Sequence, residues 1–397
     1  MKIIHCSDLH LDADLRSRFD AGAAAERRAE LMNTFRRLCR KAQETGVSAV
    51  LICGDLFDTD APSASAVRAV EDLILTYSGI LFFYLRGNHD GSSVLFRTRE
   101  KPDNLCLFGD DWTSRELEEA TGVAGTAKGA DAGADAAGAD TAAARTAAGP
   151  ALARRRIRIV GREPGRPLTS PPLDPACLNI VMLHGQIREG RSASDPDSIP
   201  LGLLRGTGID YLALGHLHSY RSFPLDDRGT AAYAGCLEGR GFDECGECGY
   251  VLLDTDTVSG RIDYRFVPFA ERRIYRVLCD VTGCLRNAEV YDRISNALSS
   301  SPAQEKDLVR LELTGGLEYG CSPSPALVRG EWEDRFHYFD YTDNTSPVVH
   351  SEDFVCDATL KGEFVRVVSA AEGLDDTERA RILRCGLRAL SGETLFP

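Results

Sequence analysis

Five short apolar runs in this sequence are each followed at once by side chains that can bind a metal ion or move a proton. In chain order these side chains are Asp8 and His10, Asp55 and Asp58, Asn88 with His89 and Asp90, His184, and His216 with His218. In an open α/β sheet, ligands bind outside the carboxyl ends of the strands, so we expect these groups to meet at one edge of the sheet. Five of the eight histidines of the chain lie in these segments, which argues against a chance distribution.

The types of donor atom restrict the chemistry. Imidazole nitrogens, carboxylates and one amide oxygen together suit borderline divalent ions such as Mn, Fe or Zn better than Ca or Mg. The predicted metal ligands are Asp8, His10, Asp55, Asn88, His184, His216 and His218. This set is too large for one ion and appropriate for two ions that share a carboxylate. Two metals about 3.5–4 Å apart can clamp the attacking and leaving oxygens of an in-line displacement at phosphorus, so the pattern predicts a two-metal phosphoesterase.

Each motif taken alone also has a purely structural explanation. An isolated Asp-x-His is most often structural, and Gly-Asp after a strand is a common turn. Their joint occurrence, in this order and each time at a strand end, favours a metal site. His5 lies within the first strand and is predicted to be a core histidine. A single Cys245-x-x-Cys248 is at most half a zinc site and does not follow a thioredoxin-like strand, so we expect neither metal binding nor redox activity there.

The elements that must position these residues are strands alternating with helices, as in stacked βαβ units. Apolar runs predict strands at Ile3–Cys6, Val47–Cys53, Ile80–Leu85, Ile157–Val160, Leu178–Leu183, Tyr211–Leu214 and Ala231–Ala234. Apolar residues at helical spacing predict a helix from Glu26 to about Thr45, with Gly46 as its C-terminal cap. Residues 122–153 are almost entirely Ala, Gly, Asp and Thr. They cannot bury enough apolar surface to become ordered, which predicts a flexible insertion.

After Phe269 the pattern predicts a separate, small α+β unit. Its strands are expected at Ile274–Val281, Leu308–Leu313 and Phe336–Tyr341, and its helix at Ala288–Leu298. From Thr359 onwards two amphipathic helices are predicted, the second beginning with a capping box of Asp375 and Glu378. A length of 397 residues suits two domains with tails.

Composition points to a soluble globular protein, with 43% apolar and 27% charged residues. The first residues lack the features of a signal peptide, and no apolar run approaches the roughly 20 residues needed to span a bilayer. Thirteen irregularly spaced cysteines indicate reduced, mostly buried thiols, so we expect a cytoplasmic protein without membrane association. The net charge of −14 argues against simple clamping of nucleic acid by a basic face. It does not exclude a nuclease, because a partner subunit can supply the basic surface.

The order of these motifs resembles that of the calcineurin-like metallophosphoesterases: Asp-x-His, Gly-Asp-x-x-Asp, Gly-Asn-His-Asp, His-Gly and Gly-His-x-His. Four stretches are most similar to the SbcD/YhaO-type DNA repair exonucleases, which are bacterial relatives of the eukaryotic double-strand-break nuclease. These stretches are HCSDLHLD at 5–12, GDLFDT at 54–59, GHLH at 215–218 and GCLEGRGFDE at 235–244. The resemblance is strong over roughly residues 1–270. Arg240 in the last stretch has two possible roles, contact with a phosphate or that of an ordinary surface arginine, and the second is expected.

The resemblance implies a role for each site residue. One metal would be held by Asp8, His10, Asp55 and His218, and the other by Asp55, Asn88, His184 and His216. His89 would lie over the scissile phosphate and protonate the leaving oxygen, a task suited to an imidazole near neutral pH. Asp90 would orient His89, and Asp58 would support the metal loop.

The resemblance also implies an architecture and partners. Residues 1–270, with the insertion at 122–153, would form an α/β sandwich of mixed sheets flanked by helices. Residues 271–345 would form a small α+β capping domain, and 346–397 a helical tail that docks on an ATPase. The expected activity is a manganese-dependent exonuclease or endonuclease that hydrolyses phosphodiester bonds at DNA ends in repair. It would act as a homodimer with an SMC-like coiled-coil ATPase.

Two other functions remain open from the sequence. The acidic net charge favours a small-molecule phosphodiesterase or phosphatase that uses the same site. A binding module with an inactive phosphoesterase fold is the third alternative, and the complete set of ligands argues against it.

Overall fold

The computed structural model describes residues 1–90, 94–117, 155–190, 195, 197–318, 321–348, 354 and 356–390. The predicted insertion at 122–153 lies outside these residues. The chain divides into two compact units: the first unit comprises Met1–Glu238 and Cys248–Ala270, and the second unit Gly239–Glu247 and Glu271–Pro397. The short stretch Gly239–Glu247 is thus an excursion of the chain into the second unit. The division into three domains at 270 and 345 stays a prediction.

Among the described residues, the first unit contains fourteen strands. They are β1 (Lys2–Cys6), β2 (Val47–Cys53), β3 (Leu81–Leu85), β4 (Leu105–Leu107), β5 (Thr113–Leu117), β6 (Ile157–Gly161), β7 (Leu178–His184), β8 (Gln186–Arg188), β9 (Ser198–Pro200), β10 (Tyr211–Gly215), β11 (Arg221–Pro224), β12 (Thr230–Tyr233), β13 (Gly249–Asp256) and β14 (Arg261–Pro268). Six form a sheet in the order β14-β13-β1-β2-β3-β4, and six form another in the order β11-β12-β10-β7-β6-β5. Every strand predicted in this part of the sequence is confirmed.

Both large sheets are mixed. The first sheet is antiparallel on the side of β14 and β13 and parallel from β1 to β4, and the second sheet has a parallel centre and antiparallel edges. β1, β2 and β3 are parallel neighbours in the first sheet, as are β7 and β10 in the second. Leu51 and Phe83 from the first sheet join Ile180 and Met182 from the second in one buried apolar cluster. The sheets therefore pack face to face, which confirms the predicted α/β sandwich and places the ends of five parallel strands where the candidate site residues begin.

Two helices of the first unit, α1 (Ala21–Glu44) and α2 (Ala64–Thr76), flank the sandwich. α1 begins before the predicted Glu26, because the side chain of Asp20 accepts hydrogen bonds from the main-chain N–H groups of Gly22 and Ala23. The alanines of this first turn carry no apolar periodicity, so the pattern could not reveal it. Within α1, Arg27 is buried and donates to Glu238 at 2.6 Å and also to Glu30.

The second unit has its own sheet and core. Its elements are β15 (Ile274–Asp280), α3 (Asn287–Ser300), β16 (Leu308–Thr314), β17 (Gly316–Glu318), α4 (Pro325–Trp332), β18 (Tyr338–Asp343), β19 (Ser346–Val348), α5 (Leu360–Ala370) and α6 (Asp376–Leu390). β15, β16 and β18 form a parallel sheet, and β17 pairs with β19. One buried cluster joins Ile294 of α3 to Leu311 of β16 and Trp332 of α4. The three strands and the helix predicted in this region are confirmed.

The two C-terminal helices also match the sequence pattern. Val365 of α5 packs with Leu383 and Leu387 of α6 in a small separate cluster. The main-chain N–H of Glu378 donates to Asp375 Oδ1 at 2.7 Å, and that of Asp375 donates to Glu378 Oε2 at 3.2 Å. This reciprocal pair is the predicted capping box. Across the described part of the chain, none of the helices combines the length and apolar character that crossing a membrane would require.

Candidate metal centre

The candidate site lies where β1, β2, β3, β7 and β10 end. Several of its residues have the left-handed backbone conformation, which side chains other than glycine rarely adopt: φ is 51° at Asp8, 43° at His10, 50° at Asp55 and 108° at His216. Such conformations cost about 1–3 kcal/mol each, and they persist only where the surrounding structure enforces them. Their concentration at these strand ends indicates a site whose side-chain directions are imposed by the fold.

Close backbone contacts bring the loops together. A Cβ atom at Gly87 would lie 2.1 Å from Asp55 Oδ1, and one at Gly215 would lie 1.8 Å from the carbonyl oxygen of Cys53. Any side chain at either position would therefore force neighbouring loops apart. Glycine at these positions allows the loops after β2, β3 and β10 to approach one another.

Asp55 lies between two groups of imidazoles. Its Oδ2 is 3.7 Å from His10 Nε2 and 3.5 Å from His184 Nε2. Its Oδ1 accepts a hydrogen bond of 3.0 Å from the main-chain N–H of His89. The carboxylate is buried, so one of its oxygens is fixed by the backbone and the other faces ring nitrogens on two sides.

Asn88, His184 and His216 form one of these groups. The Oδ1 atom of Asn88 is 2.8 Å from His184 Nε2 and 3.3 Å from His216 Nδ1. His184 Nδ1 is 2.9 Å from the carbonyl oxygen of Cys53, which can only accept, so this nitrogen carries the proton. Nε2 then has a lone pair for a metal. Burial is the largest cause that lowers the pKa of both His184 and His216, which favours neutral imidazoles, the form that binds metal.

Asp8, His10 and His218 form the second group. His10 Nε2 is 3.3 Å from His218 Nε2, and one donor atom from each of the three residues lies within 4.8 Å of the others. His10 Nδ1 contacts Asp58 Oδ1 at 2.8 Å. A carboxylate at this distance favours the tautomer with the proton on Nδ1, which leaves the lone pair of Nε2 facing Asp55 and His218. The ring of His10 is buried, so its orientation is fixed by packing as well as by Asp58.

The charge of the site suits divalent cations. Burial, followed by the neighbouring carboxylate of Asp55, raises the pKa of Asp8 to about 7. Two buried carboxylates this close repel each other, and a cation between them removes both the repulsion and the cost of burying charge. Together with imidazole lone pairs directed at the same space, they form a donor set that fits borderline divalent metals. All seven predicted ligands meet at this edge of the sandwich.

His89 and Asp90 follow Asn88 but occupy different surroundings. The side chain of His89 is exposed, and its ring centroid lies 5.1 Å from that of His10. The carboxylate of Asp90 is buried and accepts from the main-chain N–H groups of Leu56, Phe57 and Gly87, at 3.0, 2.7 and 3.2 Å. Among the described contacts no hydrogen bond joins Asp90 to the ring of His89. In this structure Asp90 ties the loop after β2 to the loop after β3.

Ser7 is a site residue that the sequence pattern did not reveal. Its Oγ donates to Asp8 Oδ2 at 2.6 Å and contacts the carbonyl oxygen of Gly235 at 3.4 Å. The main-chain N–H of His216 donates to Asp8 Oδ1 at 3.0 Å. Asp8 is therefore held on both oxygens. A serine beside an aspartate is too common in sequences to indicate this role.

Two predictions about residues near the motifs have different outcomes. His5 is a core histidine, as expected: its Nδ1 is 3.0 Å from the Tyr211 hydroxyl and its Nε2 is 3.1 Å from the Leu214 carbonyl. Arg240 is not an ordinary surface arginine. It is only 7% exposed, and its guanidinium donates to Glu244 at 2.6 Å within the excursion 239–247. The two residues are four positions apart, and a short loop can form such a pair without any periodic signal.

Residues 1–220 match the family model of the calcineurin-like phosphoesterases. This span is more than half of the chain, and it contains all of the residues that meet at the strand ends, from Asp8 to His218.

Proposed function

Since this chain belongs to the calcineurin-like phosphoesterase family, whose members are metal-dependent phosphoester hydrolases, we propose that it cleaves phosphodiester bonds at DNA ends with two divalent metal ions. Metal-dependent hydrolysis of phosphoesters follows from family membership. The number of ions, the DNA substrate and the residue roles are the proposal. The observation that carries the two-metal part is the position of Asp55, with imidazole nitrogens on either side of one carboxylate oxygen.

The proposed ligand sets follow the two groups of side chains. The first set is Asp8, His10, Asp55 and His218, and the second is Asp55, Asn88, His184 and His216. When bound, the metal ions supply positive charge to the phosphoryl oxygens and lower the pKa of coordinated water. Manganese is the proposed native ion, because the mixed nitrogen and oxygen donors suit it and because of the resemblance to manganese-dependent nucleases.

The protein's own residues perform the remaining tasks. His89 donates a proton to the leaving oxygen, a role supported by its exposure and by its position beside the ring of His10. Asp58 keeps the Nε2 lone pair of His10 directed into the site. Asp90 keeps His89 in place indirectly, since its carboxylate fixes the loop that carries His89.

DNA as the substrate rests on different support. The stretches at 5–12, 54–59, 215–218 and 235–244 resemble DNA repair exonucleases of the SbcD/YhaO type. We propose a homodimer whose tail helices α5 and α6 bind an SMC-like coiled-coil ATPase, and whose second unit includes a capping domain for DNA. The net charge of −14 favours the alternative, a small-molecule phosphodiesterase or phosphatase with the same centre.

A direct comparison of substrates tests the proposal. The manganese-loaded protein is assayed on linear double-stranded DNA and on a chromogenic phosphodiester, with and without an added coiled-coil ATPase. DNA degradation that Asp55→Asn abolishes supports the nuclease, and the variant excludes a contaminating enzyme. Turnover of the diester with intact DNA under all conditions would favour the small-molecule alternative. Failure on both substrates in fully metal-loaded protein would contradict both.

A further inference from the structure

Two cysteines outside the metal centre have their sulfur atoms in contact. Cys236 follows β12 and Cys248 precedes β13, and their Sγ atoms are 3.2 Å apart. Both residues belong to the first unit, and both side chains are buried, with 0% and 7% exposure. A disulfide bond is about 2.05 Å long, so a small movement would bring these sulfurs within bonding distance.

Main-chain hydrogen bonds hold both cysteines in position. The N–H of Gly249 donates to the carbonyl of Cys236 at 3.1 Å, and the N–H of Phe269 donates to the carbonyl of Cys248 at 2.9 Å. The approach of the two sulfurs is therefore built into the ends of β12 and β13. Cys245, the other member of the Cys-x-x-Cys motif, lies in the excursion that belongs to the second unit, and its Sγ contacts the carbonyl of Phe242 at 3.3 Å. The partner of Cys248 is thus Cys236, which the motif does not include.

The pair is connected to the metal centre through the backbone. The N–H of Cys236 donates to the carbonyl of His218 at 3.0 Å. The residue before it, Gly235, accepts the contact from Ser7 Oγ, whose other partner is Asp8. A shift of Cys236 towards Cys248 therefore pulls on the backbone of one proposed ligand and on the hydrogen bond that positions another.

We propose that Cys236 and Cys248 form a peroxide-responsive dithiol whose oxidation reversibly lowers the phosphoesterase activity. The sulfur of one cysteine attacks the O–O bond of a peroxide, giving a sulfenic acid and releasing one water. The sulfur of the second cysteine displaces the hydroxyl of the sulfenic acid, forming the S–S bond and a second water. Two thiols and one hydrogen peroxide thus yield one disulfide and two waters, and a thiol reductant reverses the change. This inference uses only phosphoester hydrolysis as its readout and does not depend on DNA as the substrate.

The sequence allows the bond to be located without ambiguity. The metal-loaded protein is treated with hydrogen peroxide, freed of it with catalase, alkylated and digested with trypsin and a glutamate-specific protease. Cleavage after Arg240, Glu244 and Glu247 separates Cys236, Cys245 and Cys248 into three different peptides. A part of each sample is assayed on the chromogenic diester before and after dithiothreitol. Cys248→Ser and Cys236→Ser are the test variants, and Cys245→Ser is the matched control.

We expect a Cys236–Cys248 linked peptide pair and a loss of activity that dithiothreitol restores, in the wild type and in Cys245→Ser. Both effects should disappear in Cys248→Ser and Cys236→Ser. The proposal would be overturned if Cys236 and Cys248 stayed reduced in protein whose exposed cysteines had been oxidised by the peroxide. A disulfide bond that involves Cys245 would also overturn it. A Cys236–Cys248 bond without any change in activity would overturn its regulatory part. An activity loss equal in all variants would show that peroxide acts elsewhere.

Discussion

Asp58 Oδ1 lies 2.8 Å from His10 Nδ1, on the side of the imidazole that faces away from Asp55 and His218. The negative charge of Asp58 favours the His10 tautomer with the proton on Nδ1 and the lone pair of Nε2 directed into the site. The ring itself is buried, so packing also holds its orientation. Asp58, which is not itself a proposed ligand, therefore influences how well His10 can bind a metal ion.

Asp58→Asn should weaken metal binding while leaving the fold intact, since the Asp58 side chain is 26% exposed. An amide can present its NH₂ group to Nδ1 and favour the wrong tautomer, so we expect affinity to fall by roughly 10–100-fold. Calorimetric titration with manganese or zinc measures this affinity. Asp60→Asn is the matched control, because Asp60 is an exposed acid two residues away. Equal affinities of the two variants would remove the role assigned to Asp58.

His89→Ala should keep its metals and lose activity. The main-chain N–H that bonds Asp55 Oδ1 is retained in alanine, so the carboxylate stays in place. Loss of a general acid costs about 10²–10⁴-fold in rate. Metal content by mass spectrometry and hydrolysis of the chromogenic diester give the two readouts. If metal content falls together with activity, His89 is a ligand and its proposed role is wrong.

Asp55→Asn should weaken both metal sites at once. Its carboxylate oxygen faces His10 on one side and His184 on the other, and an amide provides only one neutral oxygen in its place. We expect metal content to drop for both ions, whereas His218→Ala should affect chiefly one. Full retention of one tightly bound ion in Asp55→Asn would contradict the bridging position.

The stabilisation provided by metal should increase with pH. The pKa of Asp8 is raised from 3.8 to about 7, so between these values the folded, metal-free protein holds a proton that the unfolded chain has lost. The free energy of unfolding of the chelated protein therefore falls as pH rises through this window, and metal, which needs the ionised carboxylate, binds more tightly. Melting temperatures with and without chelator should differ more at about pH 7.5 than at about pH 5.5. If the melting-temperature difference were the same at both pH values, titration of Asp8 would be excluded as the cause. An equal pH dependence in Asp8→Asn would exclude it as well.

Replacing Arg27 should destabilise the first unit. Arg27→Met would leave Glu238 buried without its guanidinium partner, while Thr34 Oγ1 would still donate to it at 2.8 Å. Breaking a buried pair from one side costs about 3–5 kcal/mol, and the second change Glu238→Gln should recover part of it. Urea unfolding measures the free energy of unfolding of the single and the double variant. Arg28→Met is the control, because Arg28 is 39% exposed and its loss should cost about 1 kcal/mol or less. Similar losses for Arg27 and Arg28 would mean that the buried pair contributes little.

The sequence pattern was most informative where periodicity and strand ends coincide. Each of the five motifs follows a buried strand, and parallel neighbours such as β1 and β2 must bring their ends together, so the convergence of Asp8 with Asp55 was predictable. The individual partners were not. Asp90 accepts three main-chain N–H groups because two loops cross beside it, and the partner of Cys248 comes from twelve residues away. Such contacts depend on how loops fold back, which neither spacing nor composition encodes.

The excursion 239–247 has a consequence for how this chain can be divided and recombined. Phe242 lies within the first 270 residues, yet its ring packs against the guanidinium of Arg310 at 4.2 Å and near Tyr338 at 6.2 Å, all in the second unit. A truncation after Ala270 would expose this aromatic ring to water, together with the Arg240–Glu244 pair. Exchange of the second unit between relatives by a single crossover would bring together a loop and a sheet that had not evolved as partners. The second unit is therefore discontinuous in sequence. A chimaeric protein must take both Gly239–Glu247 and Glu271–Pro397 from the same parent to keep this unit intact.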